Sequence, residues 1–316
     1  MSRKHSRREI FKAPAILGVV GMASHLGAEE VVANDENPLM TVRPRKDDEK
    51  IFLMPAHFGS PIWGGGEPYP DPPDEAHYGE VTAISIQYLT DGEKLLQYLP
   101  RPFELSGRPV VTVAYAMNRK INWLAGAEYN IVKVSVRATY RGRGETVTGD
   151  YMLVLWENLT DPILTGREKQ GMPKIYGDIE DHSIFDGVWS TTLSNRGQTL
   201  LNIEASDLTT MAGDELEKLK ANGLDGTMLG WKHIPGETSG SEPMLSYATE
   251  FPTSTKIQSA WSAKGHLQWR PQQWKDNPTQ AHIVNALHSL PVKSIESCTV
   301  TEASKILKVG KVRRLH

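Results

Sequence analysis

Apolar and polar positions alternate with a period of two over long stretches of the chain, the signature of strands with distinct faces. Residues 81–88 follow that period. Residues 129–140 keep it for a dozen positions, with Val132, Val134, Val136 and Ala138 on one face and Lys133, Ser135, Arg137 and Thr139 on the other. Residues 110–117 are nearly all apolar, as expected of a strand covered on both faces. Arg141-Gly142-Arg143-Gly144 turns the chain back into a strand over 151–156. Further strands are expected at 199–205, 228–232, 255–259 and 295–300. Helical signals are few. Thr90-Asp91-Gly92-Glu93 has the spacing of a capping box with Thr90 as the cap. It opens a short helix through Leu95, Leu96 and Leu99, which Pro100 and Pro102 stop. Residues 214–221 and 281–287 read as two more short helices. Many strands and few helices, without an internal repeat, predict an α+β or mostly antiparallel β fold.

The beginning of the chain follows another logic. Residues 6–12 read Ser-Arg-Arg-Glu-Ile-Phe-Lys, and a short apolar stretch over 13–23 follows. A positive end, a short apolar middle and small residues after it make an export signal. The pair Arg7-Arg8 between Ser6 and Phe11-Lys12 matches the twin-arginine pattern. Cleavage is open to Ala23, Ala28 or Ala33; Ala33 is favoured because Val31 and Ala33 are small residues two apart. The expected organisation is therefore a signal over 1–33, a charged tether over 34–50 and a single domain over 51–316. Within that domain, residues 59–73 form an arm rich in Gly and Pro. The expected route is folding in a bacterial cytoplasm, passage through the export machinery, and work in the periplasm or outside the cell.

Charge and cysteine content narrow the function. The 316 residues carry a net charge of −3, and residues 1–33 hold five Lys/Arg against three Asp/Glu, leaving −5 on the rest. That balance argues against binding nucleic acid through bulk charge. One cysteine, Cys298, allows neither an intrachain disulfide nor a cysteine zinc site. Apolar runs fall short of the about 18 residues a spanning helix needs. Asp178-Ile179-Glu180-Asp181-His182 has metal-ligand residue types, but neighbouring side chains of a strand point to opposite faces, so a solvated turn is expected and no metal. No cofactor is expected.

The most telling run is Gly166-Arg167-Glu168-Lys169-Gln170-Gly171-Met172-Pro173-Lys174, which follows Gly149-Asp150-Tyr151 and a strand. Together with Tyr98-Leu99-Pro100-Arg101-Pro102-Phe103-Glu104-Leu105, Ala260-Trp261, Leu267-Gln268, Leu290-Pro291-Val292-Lys293 and Met54-Pro55-Ala56-His57-Phe58-Gly59, it resembles the acetoacetate decarboxylase family across about residues 51–316. The resemblance implies a curved, largely antiparallel barrel-like fold around a buried pocket, and a homo-oligomer. It implies that Lys174 forms a Schiff base, with Arg167 and Glu168 bracing its loop or touching substrate. Ile131, Trp156, Met172 and Ile175 are expected to line the pocket.

A Schiff-base lysine must offer a neutral amine. With a pKa near 10.4, only about one free lysine in 2,500 is neutral at pH 7. Burial or a neighbouring cation raises that fraction. Here the chain departs from the family pattern. Ile175 stands where the family carries a second lysine, so desolvation by Met172, Ile175 and their neighbours has more to do. Ile131 stands where the family carries an acid, a position near Val81 replaces the arginine that takes the substrate carboxylate, and residues 110–117 hold no second acid. The expected function is an exported Schiff-base lyase acting on a small oxo acid, by decarboxylation or by an aldol or dehydration reaction through the same iminium. One alternative is a non-catalytic family member binding a small hydrophobic ligand. Another is a partner-binding protein that uses the arm over 59–73.

Overall fold

The computed structural model describes residues 75–224 and 226–316. The expected signal, tether and Gly/Pro arm lie outside the described residues. In chain order the strands are β1 (Ala76–Leu89), β2 (Phe103–Leu105), β3 (Val110–Ile121), β4 (Tyr129–Arg141), β5 (Thr146–Glu157), β6 (Lys174–Tyr176), β7 (Asp178–Ile179), β8 (Ser183–Phe185), β9 (Val188–Asn195), β10 (Gln198–Thr210), β11 (Gly226–Ile234), β12 (Leu245–Trp269), β13 (Ser294–Leu307) and β14 (Arg313–Arg314). The α-helices are α1 (Gly92–Leu96), α2 (Thr160–Thr165), α3 (Gly213–Leu224) and α4 (Ala281–His288).

Among the described residues, seven strands close on themselves in the order β11-β5-β4-β3-β1-β13-β12, because β12 pairs back with β11. All of these pairings are antiparallel except β11 with β5, where Met228 and Leu229 lie in parallel register with Asp150 and Tyr151. Closure removes the free edges that an open sheet would present. The 25-residue β12 makes this possible by serving β11, β13 and β10 in turn, with the short β14 pairing beside Thr249 and Glu250. Its first part, Leu245 to Thr253, pairs with β11; the middle pairs with β13; its last part, Trp261 to Trp269, leaves the barrel and pairs with β10. A register shift between Ile257 and Ser259 marks the bend. β10, β9 and β7 extend that end into a second layer.

Both faces of the barrel wall are covered, for different purposes. The face bearing Val132, Val134, Val136 and Trp156 packs with Leu193, Leu201 and Ile203 of the second layer and with Val284 and Leu287 of α4. The opposite face carries a smaller cluster that includes Tyr78, Val81, Tyr129, Leu155, Met172, Met228, Phe251 and Leu307. Fully burying one such large apolar side chain contributes roughly 1.5–3 kcal/mol.

The helix expected after residue 90 forms, with a different cap. Asp91 is the cap, and its carboxylate accepts from the Glu93 and Lys94 amides, both at 3.1 Å. Thr90 is instead tied to the residue ahead of β3 through its amide, which donates to the Pro109 carbonyl, and its side chain is buried. The helix closes at Leu96, ahead of the prolines.

Candidate active site

The segment leading to Lys174 is shaped by two glycines. α2 runs into a wide turn over Gly166–Gln170, which ends at Gly171 with φ +74°. A side chain at Gly171 would be strained, and its Cβ would lie 2.5 Å from Lys232 Cβ. A Cβ on Gly166 would lie 2.5 Å from Lys174 Cε and 2.8 Å from Nζ. The lysine therefore passes over the bare backbone of Gly166. Arg167 turns outward and donates from Nη1 to the Lys174 carbonyl at 2.8 Å, bracing the loop. Glu168 makes no hydrogen bond or ion pair among the described residues and stays outside the cavity described below.

β6 then pairs in parallel with the end of β5, matching Leu155 with Lys174, Trp156 with Ile175 and Glu157 with Tyr176. Side chains alternate, so Leu155, Glu157 and Lys174 share one face and Trp156 and Ile175 share the other. Lys174 Nζ lies 2.9 Å from Glu157 Oε1 and donates to the Pro162 carbonyl at 2.9 Å. Glu157 is 1% exposed and Lys174 5%. Burial pushes the Glu157 carboxyl above the usual carboxylate range, opposed by the attraction of Lys174. Its second oxygen, Oε2, has no hydrogen-bond partner among the described residues.

This pair opens into a cavity of about 200 Å³ whose lining draws on all seven barrel strands, so it is the barrel interior. Its wall is mostly apolar, with Val81, Ile131 and Met172 among the contributors. Tyr78 and Tyr129 share a hydrogen bond at 3.0 Å on it, and burial pushes the Tyr78 phenol up to about 12. Two further lysines, Lys133 from β4 and Lys305 from β13, line the same space.

The structure thus brings Lys174, Ile131 and Met172 together and separates two residues expected beside them. Trp156 and Ile175 are corrected from pocket to core: strand alternation turns them to the opposite face. There Trp156 Nε1 donates to Gln280 Oε1 at 2.9 Å. Glu157, Lys133, Lys305 and the tyrosine pair were not singled out in the sequence. Glu157 stands directly across from Ile131 in the β4–β5 register, so an acid is present one strand away from the position at which the resemblance implies one. In the 178–182 cluster, Asp181 accepts from Arg119 at 2.6 Å and Asn130 at 2.7 Å, and His182 stacks on Trp189 at 4.7 Å.

Residues 54–314 match the acetoacetate decarboxylase (ADC) family. The chain belongs to this family. A curated relative, Decarboxylase DEC1 of Cochliobolus heterostrophus, is 29% identical over 103 residues, covering 33% of this chain and 38% of that protein. Solved family folds superimpose over most of the described domain. The acetoacetate decarboxylase of Legionella pneumophila is similar at a TM-score of 0.60 and 20% identity, covering 73% of this chain and 84% of that one. Another acetoacetate decarboxylase structure gives 0.63 at 18% identity, covering 79% and 94%. The enduracididine biosynthesis enzyme MppR complexed with pyruvate gives 0.60 at 15% identity, covering 80% and 94%. These likenesses show the acetoacetate decarboxylase fold, a mostly antiparallel barrel with few short helices, and family membership supports a lyase-like role.

Proposed function

We propose that the protein is a Schiff-base lyase acting on a small oxo acid, with Lys174 as the nucleophile. The observation that carries this reading is a buried amine 2.9 Å from a buried carboxylate at the wall of the barrel cavity. Moving one proton from Nζ to Glu157 leaves a neutral amine beside a neutral acid, with no net charge to desolvate. The amine adds to the substrate carbonyl carbon. Glu157 returns its proton to the departing hydroxyl, water leaves, and an iminium forms. If the substrate carries a carboxylate one carbon further on, the bond to that carboxylate breaks, its electron pair flows to the iminium nitrogen, and carbon dioxide leaves. The resulting enamine takes a proton at carbon, and water releases the ketone and restores Lys174. Aldol and dehydration reactions use the same iminium. The bound pyruvate of MppR is the precedent for an oxo acid in this fold.

The expected homo-oligomer and the twin-arginine export of the chain to the periplasm or beyond belong to the same proposal. They rest on the family resemblance and on the Arg7-Arg8 segment.

The deciding experiment is borohydride trapping. The protein is incubated with acetoacetate or pyruvate, reduced, digested and weighed. The expected result is an adduct on the peptide carrying Lys174 that disappears in Lys174→Ala. A folded wild-type protein that gives no adduct with either acid would leave the ligand-binding alternative as the better account.

A further inference from the structure

Lys133 and Lys305 are not used by the chemistry above, yet they line the same cavity as Lys174. Lys133 lies in register with Leu155, and Leu155 with Lys174, so the two lysines occupy one row across three adjacent strands. Strand spacing puts their backbones about 10 Å apart. Lys305 comes from β13, where it stands between Tyr78 of β1 and Thr255 of β12. Neither Lys133 nor Lys305 makes a hydrogen bond or ion pair among the described residues, whereas Lys174 already has Glu157 and Pro162. With all groups ionised, three ammonium groups against one carboxylate leave the cavity lining two positive charges in excess. Burial, then the nearby Lys133 and Lys174, hold Lys305 down at about 8, with Glu157 and Asp150 pulling the other way, so it still carries its charge at pH 7. Unpaired ammonium groups at a mostly apolar wall call for an anion, since charge removed from water is tolerated only when paired.

We propose that Lys133 and Lys305 form a carboxylate subsite, which makes the ligand of this cavity a small monoanionic acid held by its carboxylate with its other end toward Lys174. The carbonyl at that other end rests on the imine reading; the carboxylate subsite does not. A monoanion offsets part or all of this charge, depending on the state of Glu157. With Lys174 neutral before attack and Glu157 holding its proton, the two lysines and the ligand leave one net positive charge; with Glu157 ionised, they leave none. The two lysines stand in for the arginine that the family pattern would have supplied near Val81.

Butyrate and butyramide separate this subsite from imine chemistry, because neither has a ketone. Calorimetry on the whole protein at low ionic strength should show butyrate binding and butyramide binding at least about tenfold more weakly. Lys305→Gln and Lys133→Gln, each checked for folding by circular dichroism, should each weaken butyrate about tenfold or more, and Lys305→Arg should restore most of it. Equal binding of the two probes, no butyrate binding by the wild type, or folded Gln variants that bind butyrate normally would overturn the subsite. Should a Gln variant fail to fold, the wild-type comparison of the two probes decides alone. If butyrate binds through Lys305 while neither acetoacetate nor pyruvate leaves an adduct on Lys174, the imine reading falls and the subsite stands.

Discussion

Glu157 and Lys174 form an ion pair whose halves are not equivalent to lose. Glu157→Gln strands a buried ammonium that cannot find another anion, and such a loss costs about 3–5 kcal/mol. Urea unfolding measures it. The same variant should form imine at least about 10²-fold more slowly, the scale of a lost general acid–base partner. Lys174→Met leaves a carboxyl that can simply keep its proton. Its folded-state pKa is raised, so between the ordinary carboxylate range and that raised value the folded protein binds more protons than the unfolded one. Stability contributed by that protonation is present at low pH and is lost as pH rises through the folded value. Thermal melts of Lys174→Met should therefore fall further below wild type at pH 8 than at pH 5. An equal gap at both would mean that Glu157 is not the buried acid described.

The loop from α2 to β6 decides where that amine ends up. Gly166→Ala puts a Cβ against the outer half of the Lys174 side chain, which is flexible and moves aside. The protein should fold, yet the trapped adduct should drop at least about tenfold, because the amine leaves its hydrogen-bond distance to Glu157. Trp156 tests the opposite wall. It is fully buried among core residues on the far face, so Trp156→Ala should cost about 3–5 kcal/mol. Any protein that still folds should retain the adduct on Lys174. The strands themselves were largely readable. The alternation over 129–140 separates the core face bearing Val132, Val134 and Val136 from the face bearing Lys133, as the folded β4 does. Strand β12 was visible only at 255–259, because Pro252, Gly265 and its scattered Ser, Thr and Lys break the period. Its length depends on four partner strands, which a local pattern does not register.

For the molecule as a whole, closure of the barrel converts a polar strand face into a cavity wall. An open sheet would leave Lys133 and Lys305 in water; in a closed barrel they share about 200 Å³ with Lys174. The proposed export is a separate matter and rests on the first 33 residues of the sequence. Fused to a folded reporter in a bacterium with twin-arginine transport, those residues should export it, and changing Arg7 and Arg8 together to Lys should hold it inside. Export that persists without the arginine pair would send the proposal to the general secretory route.

Local periodicity and short motifs carried the strand content, the family resemblance and the lysine at its centre, because these depend on neighbours within a few positions. Three-dimensional pairing alone decided which wall residues face inward. Lys133 is a polar alternation partner by sequence and a cavity residue by closure; Trp156 and Ile175 belong to the family-like segments around Lys174 by sequence and lie behind the sheet by register. The pairing of Glu157 with Lys174 comes from the β5–β6 register, and Lys305 reaches the same cavity from β13, far along the chain. A period of two labels two faces, but when both are covered only the closed hydrogen-bond register says which one encloses the ligand.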